Sequence, residues 1–335
     1  QSLDSRLSTM QNKNIAVVGC GYWGKNLVRN FFELGSLKSL YDYDDNTAAG
    51  LAKSYEVESA SFQQILNDNQ IKGIVIATPA IQHFQIAKDC ILAGKNVFVE
   101  KPLALNIEDA NELLELSEQN NVEIMVGHLL RYHPAFIELL RITMQGVLGD
   151  IFYISSIRHS FGKMRQEEDV VWSFAPHDIS MILALAGKKP KSVFTNGVSI
   201  YQDDILDKAL VNLSFGDKLK AHISVSWIHP EKEQKLVVIG SKGLAIFNDR
   251  EPWDKKLLLS KTDINIDSKH FDYKIDEGEY IVLKEEEPLR NECKYFLGLI
   301  EGKMKPLTNG LEGISVLKVL KGATDSANHK KEIAI

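Results

Sequence analysis

The run Asn14-Ile15-Ala16-Val17-Val18-Gly19-Cys20-Gly21-Tyr22-Trp23-Gly24 constrains this chain more than any other stretch. The apolar residues from Ile15 to Val18 read as a buried strand, the glycines follow at GxGxxG spacing, and an amphipathic helix begins at Gly24-Lys25-Asn26-Leu27-Val28. Each glycine meets a different steric demand. Gly19 permits a tight turn, Gly21 lets backbone N–H groups approach a pyrophosphate, and Gly24 lets helix and strand pack closely. The helix N-terminus, with Tyr22 and Trp23 beside it, then offers unpaired N–H groups and a favourable dipole to the anion. A second strand, Leu37-Lys38-Ser39-Leu40-Tyr41, ends in Asp42, about twenty residues on, where a ribose-binding acid belongs. A carboxylate there accepts hydrogen bonds from both ribose hydroxyls and repels a 2′-phosphate. Tyr43, Asp44 and Asp45 follow without a nearby lysine or arginine, so the expected cofactor is NAD over NADP. The same acidic run also suits the N-cap of the next helix.

At 335 residues the chain has room for two domains with separate cores. A net charge of −6 with no dense Lys/Arg cluster argues against a nucleic-acid partner. No apolar run approaches the roughly 18 residues of a membrane span, so no membrane partner is expected. The first ten residues lack an apolar signal core, and Met10 is a candidate native start. Cys20, Cys90 and Cys293 are odd in number and far apart, which suits free thiols in a reducing cytoplasm and neither a disulfide framework nor a zinc site. The expectation is a cytoplasmic protein without a metal.

Alternating strands and helices run from residue 12 to about residue 128, the pattern of a parallel sheet covered on both faces. Gly73–Thr78, Asn96–Glu100 and Glu123–Gly127 read as strands, and Ile81–Ala93 and Asn106–Gln119 as helices. Beyond residue 130 the period becomes two. Ala209, Val211, Leu213 and Phe215, then Leu219, Ala221, Ile223, Val225 and Trp227, alternate with polar neighbours. This is the signature of an antiparallel sheet with one face on a core. Helices at about 134–145, 176–187 and 288–302 are expected to cover that face, and Asp263–Gly278 is expected to be a surface loop. The partly polar opposite face would suit pairing with a second subunit. The fold class is therefore α/β, with a dinucleotide-binding domain over residues 12–128. A second α/β domain over 129–335 carries a large, mainly antiparallel open sheet, and its last helix is free to pack back on the first domain.

Strand 96–100 ends in Glu100-Lys101-Pro102, at the carboxyl edge where parallel sheets bind ligands. A partly desolvated lysine there can move a proton near neutral pH, although spacing alone also allows an ordinary surface lysine. The order GxGxxG, Asp42, Ala77-Thr78-Pro79 with His83, then Ala93-Gly94-Lys95-Asn96-Val97-Phe98-Val99-Glu100-Lys101-Pro102 resembles the Gfo/Idh/MocA oxidoreductase family. The likeness is specific in the N-terminal half and one of layout in the C-terminal half. It implies a Rossmann domain plus an α/β domain used for oligomerisation, giving a homodimer or homotetramer through the sheet. It also implies Lys101 as catalytic lysine, with Thr78, Pro79, His83 and Glu100 on the nicotinamide side.

Gly127-His128-Leu129-Leu130-Arg131-Tyr132-His133-Pro134 follows the last parallel strand, and Arg131 and Tyr132 are candidate substrate contacts. Trp172–Ile179 opens a helix whose His177 matches the family's catalytic histidine. The aspartate common in the family four residues earlier is Ser173 here, so Lys101 and His177 would carry the acid–base work without it, or Asp178 would orient His177. The basic loop Ser160-Phe161-Gly162-Lys163-Met164-Arg165 is a candidate phosphate contact through Lys163 and Arg165. GCGYWGKNLVRNFFELG with GHLLRYHPAF is similar to the family branch of surface-polysaccharide biosynthesis. That likeness implies oxidation at C3 of a UDP-N-acetylhexosamine. The alternatives are an inositol or a free or phosphorylated sugar as substrate, or a dinucleotide-binding sensor without catalysis.

Overall fold

Short apolar strands alternating with amphipathic helices bury both faces of a parallel sheet, and the first half of the chain does so. The structure is a computed structural model describing residues 13–162, 164–216, 218–266 and 271–335. In chain order the elements are β1 (Ile15–Val18), α1 (Gly24–Glu33), β2 (Leu37–Tyr41), α2 (Asp45–Tyr55), β3 (Glu58–Ser59) and α3 (Phe62–Asn67). Then come β4 (Gly73–Ile76), α4 (His83–Leu92), β5 (Asn96–Glu100), α5 (Ile107–Asn120) and β6 (Ile124–Gly127). The sheet order is β3-β2-β1-β4-β5-β6, all parallel. This is the doubly wound Rossmann order, which opens a ligand crevice beyond the carboxyl ends of β1 and β4.

The second half continues with α6 (Pro134–Met144), β7 (Ile151–Phe161), α7 (Val170–Ala186), β8 (Ser192–Val198), β9 (Lys208–Ser214) and β10 (Lys220–Ser226). It goes on through β11 (Ile228–Gly240), β12 (Gly243–Asn248), β13 (Leu257–Ile266), β14 (Phe271–Ile275) and β15 (Glu279–Tyr280). The chain ends with α8 (Pro288–Ile300), α9 (Gly310–His329) and β16 (Ile333–Ala334). The strands from β7 onward form one 10-stranded sheet in the order β14-β13-β12-β11-β7-β10-β9-β8-β16, with β15 paired to β13. Every pairing is antiparallel except β7 with β10. Ala209, Val211 and Leu213 on β9 and Ala221, Ile223 and Val225 on β10 are buried, as the period-two pattern predicts, and α7 packs on β7, β9 and β10.

By contact the chain divides into two units. The first is the chain up to Tyr132 with Glu287–Leu317, and the second is His133–Glu286 with Lys318–Ile335. The helix expected at 288–302 was assigned to the antiparallel sheet, and the structure corrects this. Leu289, Cys293, Phe296, Leu297 and Leu299 of α8 join Ile15, Val17, Phe31, Val75, Phe98 and Tyr132 in one core of the first unit. The contacts include Phe296 edge-on to both Phe31 and Phe98, with ring centroids 6.3 and 5.7 Å apart. Amphipathic spacing shows that a helix buries a face, but it is silent on which sheet receives that face.

Two further expectations change. Residues 263–278 are not a loop throughout, since β13 runs to Ile266 and β14 pairs with it from Phe271 to Ile275. Helix α7 starts at Val170, capped by the Asp169 carboxylate, which accepts N–H bonds from Val171 and Trp172 at 2.9 and 3.0 Å. His177 therefore lies within the helix, directly after the internal Pro176. That proline cannot donate to the carbonyl of Trp172, so the ladder is broken one residue before His177. Among the described residues no helix is long and apolar enough to cross a membrane.

Candidate functional site

In the first unit the chemistry collects at the carboxyl edge of the sheet. Gly19 has φ +94°, and a Cβ there would meet the Ala77 carbonyl carbon at 2.6 Å. A Cβ on Gly24 would lie 1.9 Å from the Gly19 oxygen. Both positions exclude every other residue on steric grounds. A Cβ on Gly21 would meet nothing within 4 Å, so the space over that backbone is open. The N-cap of α1, Trp23, makes no side-chain cap bond, so its own side chain does not cap the helix N-terminus that an anion would use.

Asp42 is held from two directions. Its Oδ2 accepts the Cys20 N–H at 2.6 Å and its Oδ1 accepts the Asp44 N–H at 3.0 Å. Asp44, not Asp42, caps α2, accepting from the Asn46 N–H at 3.1 Å. The acidic run is thus divided between a structural cap and a carboxylate fixed beside the glycine loop, and these residues fit a dinucleotide with an unphosphorylated ribose. Tyr22, three-quarters exposed, flanks the same loop, with the Lys25 ammonium 5.1 Å from its ring centre. A larger hollow of about 810 Å³, lined by Lys13, Asn14, Leu37 and Lys72, opens at the amino ends of the strands. That is the wrong edge for a ligand of this fold.

Farther along the edge, the Trp23 indole N–H donates to Glu100 Oε1 at 2.6 Å, and the Lys101 N–H donates to Oε2 at 3.4 Å. A Cβ on Gly127 would sit 2.8 Å from that same Oε2, so β6 makes room for the carboxylate. Burial pushes Glu100 upward, opposed by the Trp23 bond and the Lys101 charge. Beneath it lies a residue the sequence reading missed. Glu292 of α8 is fully buried, and neither carboxylate oxygen has a hydrogen-bond partner. Burial first, and then the charge of Glu100, push it well above the usual carboxylate range. Its only sequence signal is an acid among apolar helix positions.

Lys101 and Pro102 are joined by a cis peptide bond. His83 was expected to face the nicotinamide. Its ring is buried, with Nδ1 2.7 Å from the Pro102 oxygen and Nε2 2.9 Å from the Thr78 oxygen. Burial lowers its pKa, opposed by the bonds to the Pro102 and Thr78 carbonyls. It braces the segment after β4, with Thr78 and Pro79, against the segment that carries Lys101.

Arg131 and Tyr132 are both buried. Arg131 is 8 % exposed, with Nη1 3.6 Å from Glu312 Oε1, while His128 Nδ1 lies 2.7 Å from Glu312 Oε2. Burial lowers the Arg131 pKa and Glu312 raises it. Tyr132 is fully buried, its hydroxyl 2.8 Å from Thr308 Oγ1 and its ring 5.0 Å from that of Tyr295. A side chain at zero exposure cannot touch substrate, so Tyr132 belongs to the core.

In the second unit a cavity of about 390 Å³ is lined by Arg158, His159, Ser173, Phe174, His177 and Gln234, among others. His177 and Ser173 thus share one wall. Asp178, beside His177, is engaged with β7. Its carboxylate accepts from the Arg158 Nε and Nη2 at 2.7 and 3.1 Å and from Ser156 Oγ at 2.5 Å, which ties α7 to β7. Arg165 is half exposed and paired with Glu168 at 3.1 Å. Lys163 lies outside the described residues.

Family models match both halves of the chain. The "Oxidoreductase family, NAD-binding Rossmann fold" model covers residues 13–128 and the GFO/IDH/MocA C-terminal domain model covers residues 136–246. The UDP-N-acetylglucosamine 3-dehydrogenase of Acidithiobacillus ferrooxidans is 26 % identical over 229 residues, 68 % of this chain and 71 % of that protein. Its solved structure superposes with a TM-score of 0.83 at 22 % identity, covering 96 % of this chain and 99 % of the other. A putative myo-inositol dehydrogenase from Sinorhizobium meliloti superposes at 0.81 with 21 % identity, covering 96 % and 99 %. Matched in both domains and in the same order, the chain belongs to the Gfo/Idh/MocA oxidoreductase family and carries its NAD-binding Rossmann domain.

Proposed function

We propose that this oxidoreductase removes a hydride from a secondary carbinol of a sugar ring, with C3 of a UDP-N-acetylhexosamine as the preferred substrate, in surface-polysaccharide biosynthesis. The observation that carries the reading is the pair of prepared surfaces. One is a sheet edge with an open glycine loop, Asp42 and Lys101. The other is a cavity lined by His177, Ser173 and Arg158. NAD, when bound, supplies the hydride acceptor. The Gly19–Gly24 loop and the α1 N-terminus would hold its pyrophosphate, and Asp42 its adenosine ribose. Thr78, Pro79 and Glu100 line the edge beyond.

When the carbinol C–H breaks, its electron pair leaves as hydride and the hydroxyl proton must go to a base. Lys101 and His177 are assigned that work, one accepting the proton and the other polarising the oxygen. Ser173 holds no charge, so it enters as a hydrogen-bonding group of the cavity wall. Arg165 is left as a candidate contact for a substrate phosphate, and Arg131, already paired with Glu312, as an indirect one. The A. ferrooxidans relative's name supports the nucleotide-sugar reading. Exposed Phe194 and Leu210 on neighbouring strands β8 and β9 support a homodimer or homotetramer through the open sheet face.

Replacing Asp42 with alanine is expected to weaken NAD by roughly tenfold or more, because charge-assisted hydrogen bonds contribute about 1.5–3 kcal/mol. It should also narrow the preference over NADP, both read by calorimetric titration. Unchanged NAD affinity would remove Asp42 from the site. For the substrate, thermal melts at saturating NAD are compared with added UDP-N-acetylglucosamine, UDP, myo-inositol and glucose 6-phosphate. Ligand at a hundredfold over its dissociation constant stabilises by about 2.7 kcal/mol. The nucleotide-sugar reading requires stabilisation by both UDP and the UDP-sugar, followed by a 3-keto product in mass spectra. Stabilisation by inositol or glucose 6-phosphate alone would replace it with a polyol dehydrogenase.

A further inference from the structure

We propose that His159, His229 and Glu233 form a binding site for a divalent transition metal ion, of which zinc is the natural probe, on the sheet of the second unit. One donor atom from each residue lies within 4.8 Å of the other two. His159 Nδ1 is 3.0 Å from Glu233 Oε2, and the centres of the two imidazole rings are 4.6 Å apart. Ligand atoms on a tetrahedral zinc with bonds of roughly 2.0–2.1 Å are separated by roughly 3.3 Å. The set therefore needs only a small closure around an ion.

The backbone is built to bring these side chains together. His159 on β7 stands directly opposite Glu233 on β11. The ladder then skips from Glu233↔His159 to Ile228↔Phe161, so His229-Pro230-Glu231-Lys232 bulge out against Ser160 alone. Pro230 has no N–H to lose from the ladder. The bulge swings the His229 ring over His159, a displacement that regular two-residue alternation would not produce.

The nitrogens not needed for a metal are already engaged as metal-ligating histidines engage them. His159 Nε2 lies 2.8 Å from Ser224 Oγ, and the His229 Nδ1–H donates to the Glu231 carbonyl at 3.0 Å. A metal would displace the proton that His159 Nδ1 shares with Glu233 Oε2 at 3.0 Å, leaving His159 Nδ1, His229 Nε2 and the Glu233 carboxylate as ligands, a set suited to zinc and its neighbours in the transition series. His159 is nearly buried, whereas the His229 and Glu233 side chains are 30 % and 36 % exposed, leaving an open side for water or a ligand. His159 also lines the 390 Å³ cavity, as do Lys232 from the bulge and Gln234 next to Glu233. A bound ion would fix the segment that forms this wall.

The test is a zinc titration of the full chain after dialysis against EDTA, in competition with a chromophoric chelator, without substrate. The proposal expects one zinc per chain and a melting temperature raised by zinc. His229→Ala and Glu233→Gln should each weaken binding by about 100-fold or more, beyond what outer-sphere changes cause, and should abolish the zinc-dependent rise. Both positions are partly exposed, and equal melting of variants and wild type in EDTA confirms intact folding. Should His229→Ala melt lower in EDTA, the near-isosteric Glu233→Gln decides. Absence of stoichiometric zinc in the wild type, or binding unchanged in both variants, overturns the site and leaves a His159–Glu233 ion pair.

Discussion

Lys101→Ala is expected to lower kcat by about a thousandfold, the middle of the range for a positioned proton-transfer group, while NAD still stabilises the protein in a thermal melt. Lys101→Arg should fail as well, because a guanidinium does not release its proton near neutral pH. The expectation rests on how completely the lysine's surroundings are fixed. Glu100, next in the chain, is pinned by the Trp23 indole at 2.6 Å. His83 holds the Pro102 carbonyl at 2.7 Å, and both groups feel the Lys101 charge. Single-turnover kinetics at saturating cofactor would separate chemistry from binding. Retention of turnover within tenfold of wild type would take the proton-transfer role away from Lys101.

The largest loss of stability is expected at Arg158. Its guanidinium meets Asp178 through two bonds, at 2.7 and 3.1 Å, and Asp178 is 1 % exposed. Arg158→Met leaves that carboxylate buried and without its counter-charge, which costs about 3–5 kcal/mol in comparable pairs. The Ser156 hydroxyl that remains cannot neutralise it. Adding Asp178→Leu to the variant should recover most of the loss, since a buried ion pair is commonly no more stable than an apolar pair of similar volume. Urea denaturation followed by tryptophan fluorescence reads this unit well, because Trp172, Trp227 and Trp253 all lie in it. A difference below about 1 kcal/mol, the range of an exposed pair, would mean that solvent reaches the pair. Asp178 also adjoins His177 in α7, so the variant should lower turnover in proportion to the loosening of that helix.

The two halves of the chain were unequally legible. Strand β1, the glycine turn, β2 and Asp42 could be read because each depends on local chemistry, namely β-branched runs, a positive φ and a carboxylate at a fixed remove. The antiparallel strands β9 and β10 were equally plain, since one face is buried along their whole length. By contrast β13 and β14, the start of α7 and the destination of α8 were misread. Asp169 was a usable N-cap signal ahead of Val170. The 263–278 segment had no comparable signal, because a strand's pairing partner compensates for weak alternation.

Function-bearing residues divide along the same line. The sequence by itself determined a dinucleotide fold, the carboxylate of Asp42 at the end of its second strand, and Lys101 at a strand's carboxyl end. Each follows from the stereochemistry of a few consecutive residues. Tertiary structure alone decided that Tyr132 is core, that Arg131 lies beside Glu312, and that His83 sits between the Thr78 and Pro102 carbonyls. It also decided that Asp178 belongs to Arg158 and that His159, His229 and Glu233 meet. Those outcomes depend on contacts between residues far apart in the chain, and burial and pairing at such distances leave no periodicity or spacing for a linear reading to detect.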